Sequence, residues 1–174
     1  MRAALPLLRA ARPAAIDFVL DAYAGVEVRP GKGPPHAQAV ADVLRDAGFD
    51  ERTQLAALLH DVVEDTAVTV EDVRATFGEP LATMVAALTG DDQIERYAQR
   101  KRTLRSAIAG AEPAVMEIAL ADKIASLRHA ALTGTPLSQR KLAHYRAMLR
   151  LGLAAGASPA LTVALDRLLR GVDR

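Results

Sequence analysis

The stretch LAALLHDVVEDTAV, residues 55–68, is where the reading of this chain begins. His60 and Asp61 are adjacent, and Glu64 and Asp65 follow them by four places each. At about 100° per residue, four positions return to nearly the same helix face. One helix end therefore presents an imidazole and three carboxylates together, while Val62 and Val63 point elsewhere, into a core. A solvated acidic face is the ordinary fate of a charged run. It fits poorly here, because like charges on one face repel and apolar residues flank the group on both sides. Carboxylates gathered in such a setting need a cation to compensate them.

Outward from this segment, Pro and Gly cut the chain into helical pieces. A first helix is expected from Pro13 to Gly25, followed by VEVRPGKGPP (26–35), which is read as irregular. Helices are then expected over 36–47 and 51–63. Thr69 caps a short helix, with Asp72 in a capping-box position, that ends at Gly78. Pro80 opens the next, which runs to Thr89. The stretch GDDQIERYAQRKRTLRSAI begins with acids and continues with bases, matching a helix dipole. Further helices are expected over 113–130, 138–155 and 159–171. Nothing reads as a strand. Apolar residues make up 51% of the 174 positions and aromatics only 3%, a composition that favours packed helices over sheets. The expected fold is all-α, a single-domain bundle over 1–174 with seven to nine helices.

The 22 basic and 21 acidic residues balance to a net charge of +1. That gives no reason to expect nucleic acid or an anionic membrane as partner, and it leaves room for a local basic pocket. The absence of cysteine excludes disulfides and thiolate zinc sites. The opening MRAALPLLRAARPAA is broken by Pro6, Arg9 and Arg12 and is not read as a signal peptide. No apolar run approaches the roughly 20 residues of a membrane span, so a soluble cytoplasmic protein is expected. A homo-oligomer is left open.

Two further residues stand out. Asp122 lies in VMEIALADKIASL, a helix apolar nearly all round. A buried lone carboxylate costs several kcal/mol unless it is paired or ligates a metal. Both outcomes are open: an ion pair with Lys123 or Arg128, or a metal. His36 opens HAQAVADVL and reads by itself as a capping or surface residue. Taken together, His36, His60, Asp61 and Asp122 offer two nitrogens and two carboxylates, a mixed set that suits Mn²⁺, Fe²⁺ or Zn²⁺.

The order H…HD…D resembles the HD superfamily signature. HDVVEDT, with VTVEDVRATFGEPLATMVAALT after it, resembles the HD domain of the RelA/SpoT family, whose motif reads HDxxED. ERYAQRKRTL and ALADKIASLR resemble that family's next two blocks. The similarity covers about residues 15–150, with C-terminal helices (138–171) packing on that core. It implies an HD-domain helical bundle that hydrolyses ppGpp-type alarmones with Mn²⁺, releasing the 3′-pyrophosphate. With no room for a synthetase domain, the chain is similar to the small, hydrolase-only members. By position, the resemblance makes His36, His60, Asp61 and Asp122 the metal ligands. It makes Glu64 and Asp65 the pair that positions and deprotonates the attacking water.

The resemblance also implies a nucleotide substrate held by basic groups. The candidates are Arg29 and Lys32 in the Gly/Pro loop, and Arg96, Arg100, Lys101 and Arg102 on the later helix, with Tyr145 near a tyrosine that the family uses in its nucleotide pocket. Two departures bear on the substrate. Ser126 stands where the family carries Asn in ADKLxNLR, and the loop RPGKGPPHA is shorter than the family's and lacks its aromatic and the Pro after His. The alternatives are therefore an adenosine alarmone, another 3′-phosphorylated nucleotide or NADPH as substrate, or a non-catalytic HD regulatory module.

Overall fold

The computed structural model describes residues 4–172, with side chains from residue 11. The N-terminal stretch weighed above as a leader begins outside the described residues. Every regular element among the described residues is a helix. The single domain expected from length is organised as two compact units, Met1–Thr89 and Gly90–Arg174.

Unit 1 contains α1 (Ala4–Ala22), α2 (Pro34–Asp46), α3 (Glu51–Leu59), the one-turn α4 (Val62–Asp65), α5 (Val70–Phe77) and α6 (Glu79–Leu88). Asp50 caps α3, its carboxylate accepting from the Thr53 amide at 2.8 Å. Thr69 and Asp72 close a reciprocal capping box at the start of α5, as the sequence predicts. Such a cap contributes about 0.5–2 kcal/mol. Val19, Leu59, Val62, Val73, Ala82 and Val85 meet in one buried cluster, which Tyr23 also joins. Removing this apolar surface from water is what holds α3 and α4 in place.

Unit 2 contains α7 (Tyr97–Gly110), α8 (Pro113–Thr133), α9 (Gln139–Ala154) and α10 (Pro159–Val172). Helix α8 is apolar nearly all round, with Ile118, Leu120, Ala121 and Ile124 fully buried. Gly152 of α9 lets the two helices approach closely. A Cβ there would stand 2.9 Å from the Leu120 side chain. The start of α10 is tied to α8 where the Ser158 amide donates to the Glu117 carboxylate at 2.9 Å.

Four expectations change. The predicted 51–63 helix is interrupted at His60–Asp61. Asp61 takes φ −100°, ψ −6° and starts a new turn, its 61 carbonyl accepting from the Asp65 amide at 2.9 Å. Counted as one interrupted helix, α3 and α4 bring the total among the described residues to nine, within the expected seven to nine. Residues 90–96 lie outside α7, which has no acid in its first turn, so the dipole match is not realised. Helix α2 starts inside the supposedly irregular loop, at Pro34. A proline costs nothing in a first turn, where the missing N–H has no intrahelical partner. Helix α1 begins ahead of Pro13, at Ala4. Among the described residues, no helix is long and apolar enough to cross a membrane.

Candidate functional site

In unit 1 the interruption between α3 and α4 is the centre of the site. His60 ends α3 with helical dihedrals, and its Nδ1 lies 2.7 Å from the Ala57 carbonyl. A carbonyl only accepts, so Nδ1 carries the proton and the ring orientation is fixed. In the neutral ring the Nε2 lone pair then faces Asp61 Oδ1, 3.2 Å away. Two acceptors this close repel unless a proton or a cation stands between them. Adjacent ligands bound at about 2.1 Å to one ion, at right angles, stand roughly 3.0 Å apart. His36, buried in the first turn of α2, brings its ring centroid to 5.5 Å from that of His60, with a ring nitrogen of each within 4.8 Å of the other. The surface or capping role that His36 suggests in isolation is not what it adopts. The two histidine nitrogens fit a divalent transition metal by donor type and by their mutual spacing, and Asp61 Oδ1 stands beside His60 as a carboxylate donor.

The acids beside this pair are held by two groups of opposite character. Lys32 Nζ lies 2.5 Å from Asp61 Oδ2 and 3.9 Å from Asp65 Oδ2. The lysine expected to hold phosphate thus also lies against the acid cluster. In its loop Gly33 turns with φ 75° under the Val28 side chain, where a Cβ would meet Val28 at 2.8 Å. Tyr23, just past α1, donates its hydroxyl to Asp65 Oδ2 at 3.1 Å. Burial, then the charges of Asp65, Asp61 and Glu64, push the phenol far above its ordinary range, so it stays a neutral donor. Glu64, Asp65, Lys32, Arg29 and Tyr23 border a cavity of about 250 Å³ in this unit.

In unit 2 Asp122 of α8 forms the ion pair with Lys123 that the sequence left open, and it accepts from Ser126 Oγ at 3.4 Å. Tyr145 of α9 is buried, with Lys123 Nζ 5.7 Å from its ring centroid. On α7, Arg100 donates to the Ile94 carbonyl at 3.1 Å, and Lys101 is half-buried. Arg96 and Arg102 are exposed.

The family model for the HD domain matches residues 15–149. The chain belongs to the HD-domain family. A probable guanosine-3′,5′-bis(diphosphate) 3′-pyrophosphohydrolase of Synechocystis is 35% identical over 138 residues, 74% of this chain and 18% of that protein. The Drosophila melanogaster 3′-pyrophosphohydrolase MESH1 is 39% identical over 79 residues, 45% of this chain and 44% of that protein. The chain thus spans less than half the length of either curated relative. Among solved structures, a metazoan orthologue of SpoT that hydrolyses ppGpp superimposes with a TM-score of 0.78 at 27% identity. That match covers 93% of this chain and 95% of the other.

Within the HD domain, two groups escaped the sequence. Tyr23 was missed because it lies 42 residues from the carboxylate it touches. Only its rarity, as one of three tyrosines, could have singled it out. His144 was missed because nothing around it in α9 suggests chemistry. It is buried, and Arg105 Nη1 donates to its Nδ1 at 3.0 Å. Burial first, then the charges of Lys123, Lys101 and Arg105, push its pKa down to about 3. The unfolded chain therefore binds this proton near pH 6.5 and the folded chain does not. Stability from this group is complete above pH 6.5 and is lost as pH falls toward 3. One proton sets the slope, at most about 1.4 kcal/mol per pH unit. Urea midpoints measured from pH 7 to 4 should fall more steeply for the parent chain than for His144→Asn. Parallel curves would show that this proton is not excluded from the fold.

Proposed function

We propose that the chain is a metal-dependent phosphohydrolase that removes the 3′-pyrophosphate from ppGpp-type alarmones. The observation that carries this reading is the buried His36–His60–Asp61 donor set beside Glu64 and Asp65, in a chain whose HD-domain relatives carry that activity. Asp122 is proposed as the fourth ligand, from its position in the H…HD…D order, and the two units are proposed to act as one domain. Mn²⁺ is the proposed ion. When bound, such an ion supplies positive charge to phosphoryl oxygens and acidity to water.

The chain's own groups supply the rest. Glu64 and Asp65 border the cavity as proton acceptors. Tyr23 pins Asp65 by one oxygen and leaves the other to accept a proton from water. Lys32, 2.5 Å from Asp61 and 3.9 Å from Asp65, holds both carboxylates in place. Arg29 at the cavity wall, with Arg100 and Lys101 on α7, is proposed to hold the nucleotide's phosphates, and Ser126 and Tyr145 its nucleoside end. A nucleotide of this kind is intracellular, so the reading carries a cytoplasmic location with it.

A second reading, a different nucleotide substrate, is favoured by Ser126. Its hydroxyl turns to Asp122 and offers no amide to a sugar. Turnover of ppGpp, ppApp and NADPH by the purified Mn²⁺-loaded chain separates the two. We expect pyrophosphate release from ppGpp and its loss on chelation. Turnover of NADPH or ppApp without ppGpp would transfer the conclusion to the second reading.

A further inference from the structure

We propose that Arg105, anchored by His144, is a phosphate-binding residue of unit 2. The shared chemistry of its ligand is a phosphate oxyanion, carried by the nucleotide substrate or by released pyrophosphate. The nucleotide arm of this inference rests on the phosphohydrolase reading above.

The first observation is what holds Arg105. Other arginines of the chain are held by carboxylates: Arg45 by Asp42 and Asp46, Arg74 by Glu71 and Glu79, and Arg170 by Asp166. A carboxylate orients a guanidinium and cancels its charge in the same contact. Arg105 is half-buried, and among the described residues no carboxylate pairs with it. Its Nη1 donates to the Nδ1 of His144. An imidazole accepting from a guanidinium is neutral, so Arg105 is oriented while its full charge is kept. Side-chain entropy argues against fixing a half-buried cation without a counter-charge, unless something else supplies that charge.

The second observation is the ring itself. With Nδ1 accepting, the imidazole hydrogen lies on Nε2, which is buried with no acceptor among the described residues. A buried donor without a partner costs about 1–3 kcal/mol.

The third observation is the surrounding field. Lys123, Lys101 and Arg105 act on His144, and Lys123, Arg140, Arg100 and Arg105 act on Tyr97. The one acid felt at His144, Asp122, is already paired with Lys123. Residues 90–174 carry 14 Lys and Arg against 8 Asp and Glu, whereas residues 1–89 carry 8 against 13. Acidic side chains thus predominate in residues 1–89 and basic ones in residues 90–174. The flat guanidinium fork, held in one orientation, suits two oxygens of one phosphate group.

The test titrates inorganic pyrophosphate into the full chain, with divalent ions chelated, for the parent, R105Q, H144L and H144N. KM and kcat for ppGpp are measured in Mn²⁺ for the same four. R105Q and H144L should weaken pyrophosphate binding about tenfold or more, the worth of a charged hydrogen bond, with the loss in turnover falling on KM. H144N, whose Oδ1 replaces Nδ1 as acceptor, should recover most of the affinity. Dependence of pyrophosphate affinity on Arg105 without a change in KM would assign the subsite to the released product. Pyrophosphate affinity unchanged in R105Q, or absent in the parent, overturns the proposal. If the parent does not hydrolyse ppGpp while pyrophosphate binding still depends on Arg105, the subsite stands and the phosphohydrolase reading falls.

Discussion

Asp61→Ala is expected to remove both the bound metal and the hydrolysis of ppGpp, while the helical signal stays close to that of the parent. The residue meets His60 at 3.2 Å and Lys32 at 2.5 Å and, through its own carbonyl, the first turn of α4 and the Tyr23 hydroxyl. Only the first two contacts go through the carboxylate, so the backbone of α4 survives the change. Lys32 is partly exposed and returns its ammonium to water, which limits the cost to folding. Substituting a group one step removed from a metal typically costs 10–100-fold in affinity or activity. Loss of a direct donor should exceed that, so a fall of more than about a hundredfold is expected. Metal content by elemental analysis, ppGpp turnover and far-ultraviolet circular dichroism check the three parts of the expectation. A variant that keeps its metal and more than a tenth of its turnover would remove Asp61 from the centre.

Leu59→Ala should give the largest loss of stability near the site. Leu59 is fully buried, next to His60, in the cluster formed by Val19, Tyr23, Val62, Val73, Ala82 and Val85. The substitution deletes buried methyl groups and leaves a cavity that rigid helices close only in part. The expected cost is about 2–5 kcal/mol. The same cluster seats Tyr23, whose hydroxyl holds Asp65, so turnover should fall beyond what the unfolded fraction explains. Urea denaturation gives the first quantity, and kcat measured well below the transition gives the second. A stability loss under about 1 kcal/mol would mean that the site is carried by other contacts.

Much of unit 1 was legible in the sequence because its signals are local. The Thr69–Asp72 box and the glycine stop at Gly78 each act within a few residues, and each stands where the residue types demand. The boundaries that shifted involve competition between local rules. Asp72 and Glu71 do enter the first turn of α5, but Asp91 and Asp92 stay outside α7. Charge at a helix start adds only a few tenths of a kcal/mol to about 1 kcal/mol and does not by itself set where the helix begins. The break between α3 and α4 escaped because the apolar pattern of residues 55–63 continues straight through it.

The site divides in the same way. His60, Asp61, Glu64 and Asp65 were readable as a group because four-residue spacing is a property of one chain segment. Lys32 was readable only as a cation, and its attachment to Asp61 required the loop before α2 to close over α4. By itself the sequence determined the helical class, the caps and the kinds of donor available, since these follow from backbone geometry and side-chain chemistry within a turn or two. Only the tertiary structure decided that His36 lies against His60, that Tyr23 holds Asp65, and that a neutral histidine rather than an acid holds Arg105. Those pairings depend on how helices pack across 24 to 42 residues of chain, and packing responds to the summed shape of many apolar side chains rather than to any local rule.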